Sequence, residues 1–142
     1  MSAQSGYAFE DLALGMSAKF VKTIEERDVV LFAEISGDTN PIHLDEDFAA
    51  RSPFGGRIAR GMLTAGLIST VIGTLLPGPG AIYLGQNLRF KAPVRLGDKV
   101  EAEVTVTELD AAKNRASFAT RCSVGDTVVL DGDALIMVPS KE

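Results

Sequence analysis

The hexapeptide Asp38-Thr39-Asn40-Pro41-Ile42-His43 holds the only histidine of the chain, five residues after a carboxylate. Between the two stands Asn40-Pro41, a dipeptide that marks a turn. A segment that bends there can aim both side chains at one point. An acid and a base aimed at one water is what adding water to a double bond, or removing it, requires. Water is a poor nucleophile, so a base must take its proton as it attacks. An acid must then protonate the neighbouring carbon. Imidazole is the side chain that exchanges a proton near neutral pH, and burial would tune a carboxylate such as Asp38 upward. A plain structural role stands beside the catalytic one. A lone histidine is usually a surface or hydrogen-bonded structural residue, and Asp before Asn-Pro often makes only an Asx-turn.

The chain around this pair has 142 residues, of which 46% are apolar and 23% charged. That fits one globular domain with one core, read here as residues 1–142. A net charge of −5 argues against nucleic acid as a partner, which would ask for a basic face. It leaves room for a local basic patch facing a phosphorylated ligand. Cys122 is the only cysteine, so neither an intrachain disulfide nor a Cys-rich zinc site can form. Its place in an alternating run predicts a buried, inert thiol. The polar N-terminal stretch does not read as a signal peptide. The longest apolar run, residues 62–76, is broken by Thr64, Gly66, Ser69, Thr70, Gly73 and Thr74. It is too short and too polar to span a bilayer. The expectation is a soluble, cytoplasmic protein with no membrane partner.

The elements that must position the pair can be read from periodicity. Residues 7–23 contain a turn at Leu14-Gly15 and then an alternating segment at Ala18-Phe20-Val21, a first strand. Thr23 and Glu26 fit a capping box. A helix should follow from about residue 25 to 36 and stop at Gly37, so that the Asp38–His43 segment leaves a helix C-terminus. Residues 45–51 look like one or two helical turns, and Ser52-Pro53-Phe54-Gly55-Gly56 is loop. Residues 61–76 predict a long helix, apolar on most sides and therefore buried. Its small residues suit close approach by other backbone. Pro77-Gly78-Pro79-Gly80 ends it. The period then changes to two. Strands are predicted over residues 81–94, 100–106, 116–124 and 127–138, with turns between them. Helices on one side of an antiparallel sheet make an α+β layer fold. The specific picture is a four-strand meander wrapped around one buried helix.

Three stretches carry a family resemblance: Gly37-Asp38-Thr39-Asn40-Pro41-Ile42-His43; Phe54-Gly55-Gly56-Arg57-Ile58-Ala59 followed by Gly61-Met62-Leu63; and Phe90-Lys91-Ala92-Pro93-Val94 leading into Gly97-Asp98. In order and spacing they resemble the MaoC-like hydratases, within them the single-domain (R)-specific enoyl-CoA hydratases, and the element order resembles the hot-dog fold. The resemblance covers nearly the whole chain. It implies an antiparallel sheet wrapped around a long central helix. It also implies reversible addition of water to a trans-2-enoyl-CoA, giving the (R)-3-hydroxyacyl-CoA. No metal and no redox cofactor is needed, CoA being part of the substrate.

On that reading Asp38 and His43 both hold the water, with Asp38 as base and His43 delivering the proton to C2, though the roles could be exchanged. Asn40 shapes the loop or braces a neighbour. The backbone N–H of Gly61 is the implied oxyanion donor, where a helix N-terminus meets charge building on the thioester oxygen. Tight packing is the plainer reason for glycine there. The family commonly carries histidine immediately before Gly-Met-Leu, whereas this chain has Arg60. Arg60 could hold an anionic group, pair with a nearby carboxylate or lie at the surface. Met62, Leu63 and residues between Leu67 and Leu76 are candidates for the acyl slot, with core packing the plainer role for most of them. Arg57, Arg60, Arg89, Lys91 and Arg95 are candidates for the CoA phosphates. Pairing of sheet edges between copies implies a homodimer with two sites near the interface.

Three rivals remain at this level. A dehydratase acting on an acyl-carrier-protein thioester uses the same chemistry. A hot-dog thioesterase usually carries its carboxylate on the central helix, and residues 61–76 contain no Asp or Glu. A non-catalytic thioester-binding subunit would not need the Asp38/His43 pair. Polyester supply and fatty-acid metabolism are both compatible with the residues.

Overall fold

The computed structural model of the chain describes residues 6–141; the start of the polar N-terminal stretch, residues 1–5, lies outside them. Alternation builds the sheet. In β3 (Lys99–Asp110), Val100, Ala102, Val104 and Val106 are buried, while Glu101, Glu103 and Thr105 take the other face. β4 (Arg115–Val124) buries Ala116, Phe118, Thr120 and Cys122 in the same way, and β5 (Thr127–Met137) buries Val129, Leu130, Ala134 and Ile136. Cys122 is the buried thiol that its position predicts, and burial pushes its pKa up to about 12. With β1 (Ser17–Thr23) and β2 (Ile82–Phe90), these strands form one antiparallel sheet in the order β1-β3-β4-β5-β2.

The expected four-strand meander is corrected here. Only β3, β4 and β5 run as a meander. β2 crosses to the far side and pairs with β5, while β1 takes the free side of β3. Period-two alternation marks a strand but does not name its neighbour. The connection from β2 to β3, residues 91–98, is anchored on the way. Ala59 N–H donates to Val94 O at 2.7 Å, Gly97 N–H to Ile24 O at 2.7 Å, and Ile24 N–H to Asp98 O at 2.9 Å.

α1 (Glu26–Ser36) starts one residue later than predicted. Its cap is Glu25 rather than Thr23, and the returning carboxylate is Asp28, which accepts from Glu25 N–H at 2.9 Å. Thr23 is the last residue of β1 and stays paired with Lys99. Gly37 closes the helix at φ 79°, its N–H bonded to Ala33 O at 2.9 Å. Glycine pays no Cβ penalty in that left-handed conformation. Two short helices follow, α2 (Pro41–Leu44) and α3 (Glu46–Ala50).

The long helix α4 (Gly61–Thr74) lies against the sheet. Thr64, Leu67, Ile68, Val71 and Ile72 form the buried stripe, three or four residues apart. The remaining face is open, which corrects the expectation of a helix buried on most sides. A Cβ added at Gly66 or Gly73 would meet nothing within 4 Å, so no backbone among the described residues approaches there. The core is one cluster in which Leu67, Ile68, Val71 and Ile72 meet Val100, Val104, Phe118, Leu130 and Ile136. Each such side chain contributes about 1.5–3 kcal/mol by leaving water. Among the described residues no helix is long and apolar enough to cross a membrane.

Candidate active site

Residues 36–43 are shaped by a relay of short-range hydrogen bonds. Ser36 Oγ accepts from Asp38 N–H at 3.2 Å, Asp38 Oδ1 from Asn40 N–H at 3.0 Å, and Asn40 Oδ1 from Ile42 N–H at 3.1 Å. Asn40 is thus the cap of α2, with Pro41 at its first helical position. Asp38 does make the local turn of the plain structural reading, and its second oxygen stays free for other partners. His43, predicted in a turn, sits inside α2 and is buried. Its Nδ1 lies 2.7 Å from Ile58 O. A carbonyl only accepts, so Nδ1 carries the proton and the ring is left with Nε2 as its working atom. The His43 carbonyl is braced in turn by Arg57 Nε at 2.8 Å, and Arg57 Nη1 pairs with Glu26 at 2.6 Å.

Arg60 and Gly61 arrive from the start of α4. Arg60 is the cap residue with extended backbone, and its side chain does not cap the helix. Leu63 and Thr64 N–H both donate to Arg60 O, at 3.1 and 3.3 Å, which leaves the Gly61 and Met62 N–H groups without an acceptor inside the helix. The Arg60 side chain is only 5% exposed and turns toward Asp38, with Nε 3.0 Å from Asp38 Oδ2. Its Nη1 donates to Val29 O at 3.4 Å, and its guanidinium carbon lies 5.9 Å from the centre of the Phe32 ring. Asp38 itself is 51% exposed, against the expectation of burial. Its pKa moves down rather than up: the Asn40 N–H holds the carboxyl below its usual range, with Arg60 the next cause and His43 a weaker one.

These groups line one cavity of about 640 Å³, a size suited to a small-molecule site. Asp38, His43, Arg60, Gly61 and Met62 all face it. Asn40 and Leu63 do not line it: Asn40 caps α2, and Leu63 packs against the core. Of the cations weighed for phosphates, only Arg60 and Lys91 line the cavity. Arg95 Nη2 instead donates to Phe54 O at 2.6 Å, and Arg89 lies on a separate groove beside Arg121. Packing makes its own demand on Gly61. A Cβ there would lie 2.5 Å from the Phe90 ring. Sequence reasoning missed Phe32, Ser36 and Phe54, and it missed Val129 and Leu130 of β5. Ser36 directly precedes Gly37-Asp38 and could have been found locally. The β5 residues reach the cavity only through the sheet order.

No group of three or more His, Cys, Asp or Glu among the described residues is placed to hold a metal ion. The decisive comparison is with known families, where the MaoC like domain matches residues 11–128. The chain belongs to this family. As a MaoC-like domain it is 62% identical over 134 residues to a 3-hydroxybutyryl-CoA dehydratase of Methylorubrum extorquens, covering 94% of this chain and 85% of that one. It is 56% identical over 133 residues to an (R)-specific enoyl-CoA hydratase of Rhodospirillum rubrum, covering 94% and 92%. Among solved structures, the R-hydratase PhaJ1 from Pseudomonas aeruginosa superposes with a TM-score of 0.91 at 48% identity, covering 96% of this chain and 88% of that one. The hot-dog architecture, an antiparallel sheet wrapped on a helix, is the fold of this MaoC-like domain.

Proposed function

We propose that this chain is an (R)-specific enoyl-CoA hydratase, a hydro-lyase that adds water reversibly to a trans-2-enoyl-CoA to give the (R)-3-hydroxyacyl-CoA. One observation carries the reading: a half-exposed carboxylate, a buried histidine whose Nδ1 is committed to a carbonyl, and an uncapped helix N-terminus face one cavity. With Nδ1 committed, Nε2 alone can exchange a proton with substrate. Asp38 takes a proton from water as its oxygen bonds to C3. His43, which must enter the step as the imidazolium with a proton on Nε2 as well as on Nδ1, delivers the Nε2 proton to C2. The two residues then restore their protons through solvent, so one water is consumed and no electrons are transferred. Negative charge passes to the thioester oxygen, which the Gly61 N–H receives. A bound thioester also displaces water from Asp38 and so strengthens it as a base. The chemistry calls for no metal or redox cofactor.

The half-exposed Lys91 lines the cavity, and an anionic carrier group that reaches it competes with Asp131, its partner at 2.7 Å. We assign a homodimer joined along the free edge of β2. Ile82 and Phe90, at the ends of that strand, are 54% and 55% exposed, and proteins cover or pair such edges. Phe90 also lines the cavity, which puts each site near the seam. The lone buried thiol suits a reducing compartment such as the cytoplasm.

The test is dehydration of enantiopure substrate. Given (R)- and (S)-3-hydroxybutyryl-CoA separately, the protein consumes the (R) form and leaves the (S) form. Consumption of the (S) form, or binding of both without turnover, contradicts the reading. Turnover only of the carrier-protein thioester moves it to the dehydratase rival.

A further inference from the structure

We propose that Arg60 is a positioning residue for this reaction: its buried guanidinium clamps the Asp38 carboxylate in one orientation facing the cavity. The kinetic part rests on the hydratase reading above, and the structural part stands without it.

A guanidinium only 5% exposed needs a counter-charge. Among the described residues, Asp38 is the carboxylate within ion-pair distance of it, at 3.0 Å. The Asp38 side chain would otherwise be free to rotate, being half in solvent. It is instead held by both oxygens, Oδ1 on the Asn40 N–H at 3.0 Å and Oδ2 on Arg60. Rotating the carboxylate loosens both contacts together. The clamp is fixed at its other end by α1, through Val29 O and the Phe32 ring. It therefore ties α1, residues 36–40 and the start of α4 into one frame.

The Nε contact lies off the hydrogen-bond axis, so it acts through charge, and the buried Nη2 has no hydrogen-bond partner among the described residues. The charged groups that bear on Asp38 are few. Arg60 comes from the start of α4 and His43 from α2. α1 offers the Ser36 hydroxyl, which takes the Asp38 N–H. Lys91 lines the same cavity, with Asp131 as its own partner. Asn40 N–H, Arg60 and His43 all favour the carboxylate.

The experiment combines kinetics with a stability cycle. Arg60→Gln, Arg60→Lys and Asp38→Asn are made singly, and Asp38→Asn is also placed in the Arg60→Gln background. For Arg60→Gln we expect kcat on crotonyl-CoA to fall about 10- to 100-fold with KM little changed. Its acid limb should move up toward the ordinary carboxylate value, about pH 4. Arg60→Lys keeps the charge without the planar fork, so it should keep the acid limb and recover only part of kcat. Asp38→Asn should lower Tm in the wild-type background, where it strands a buried cation, and lower it less in the Arg60→Gln background. Wild-type kcat and acid limb in Arg60→Gln, or equal Tm shifts in both backgrounds, would overturn the proposal. Should Arg60→Gln fail to fold, wild-type kcat in Arg60→Lys overturns it instead. The Tm cycle needs no turnover. Coupling in a chain that hydrates nothing would therefore sink the hydratase reading and leave the clamp standing.

Discussion

Asp38 is held as an anion by a backbone N–H and a buried cation, and pH can read that arrangement. Its carboxyl is shifted down, so the ionised form, which the proposed mechanism needs as base, persists below the ordinary carboxylate range and is lost only as pH falls through the lowered value. The acid limb of kcat/KM should accordingly lie below about pH 4, in a profile taken with ionic strength held constant. A limb at or above that value would contradict the assignment of Asp38. Gly61→Ala tests the other half of the site. Its Cβ would meet the Phe90 ring at 2.5 Å, so the ring must shift. The variant should fold with a lowered Tm and lose about tenfold or more in kcat/KM, because its new methyl displaces the thioester from the N–H. At this scale the approach of Asp38 and His43 to one cavity is legible in the sequence, since six consecutive residues carry both groups and the turn that joins them. The partnership of Asp38 with Arg60 is not, because those residues meet only when the start of α4 is folded back onto the segment that follows α1. The direction of the Asp38 shift is hidden for the same reason.

Elements place these residues, and the junction of α1 with the Asp38 segment is where a small backbone change should cost most. Gly37 holds φ at 79°, where any side chain adds strain. Gly37→Ala should destabilise the protein by about 1 kcal/mol. It should also lower kcat, because Asp38 is the next residue; calorimetry and crotonyl-CoA kinetics on one preparation measure both. A fall in Tm with unchanged kcat would show that the loop holds Asp38 without help from the helix end. The helices α1, α3 and α4 and the strands β4 and β5 are legible to within a residue or two, because a stripe such as Leu67, Ile68, Val71, Ile72 carries its own period. By contrast, β2 stops at Phe90, four residues early, β3 runs on to Asp110, four residues further than its clean alternation, and α2 forms where a loop is expected. The α1 cap shifted from Thr23 to Glu25 because β1 claims Thr23 in its ladder. The open face of α4 was hidden as well: Gly66 and Gly73 look the same in sequence whether another backbone approaches them or not.

For the whole molecule, the order β1-β3-β4-β5-β2 leaves β2 as a free edge next to the cavity. No local pattern encodes that crossing, and with it β5 enters the site wall through Val129 and Leu130. Light scattering should give about twice the chain's own 15.0 kDa. Leu84→Lys on the exposed strand should shift the mass toward the monomer, since a lysine on an edge disfavours pairing. A wild-type monomer that turns over at full rate would contradict the assigned seam. The central claim concerns the joint action of Asp38 and His43 on one water. The most direct measurement follows the loss of enoyl-thioester absorbance from crotonyl-CoA with wild type, Asp38→Asn and His43→Gln, each checked for folding. The account predicts rapid loss with wild type and a drop of about 10²- to 10⁴-fold in either variant. Undiminished hydration in a folded variant of either residue, or none in the wild type, would contradict it.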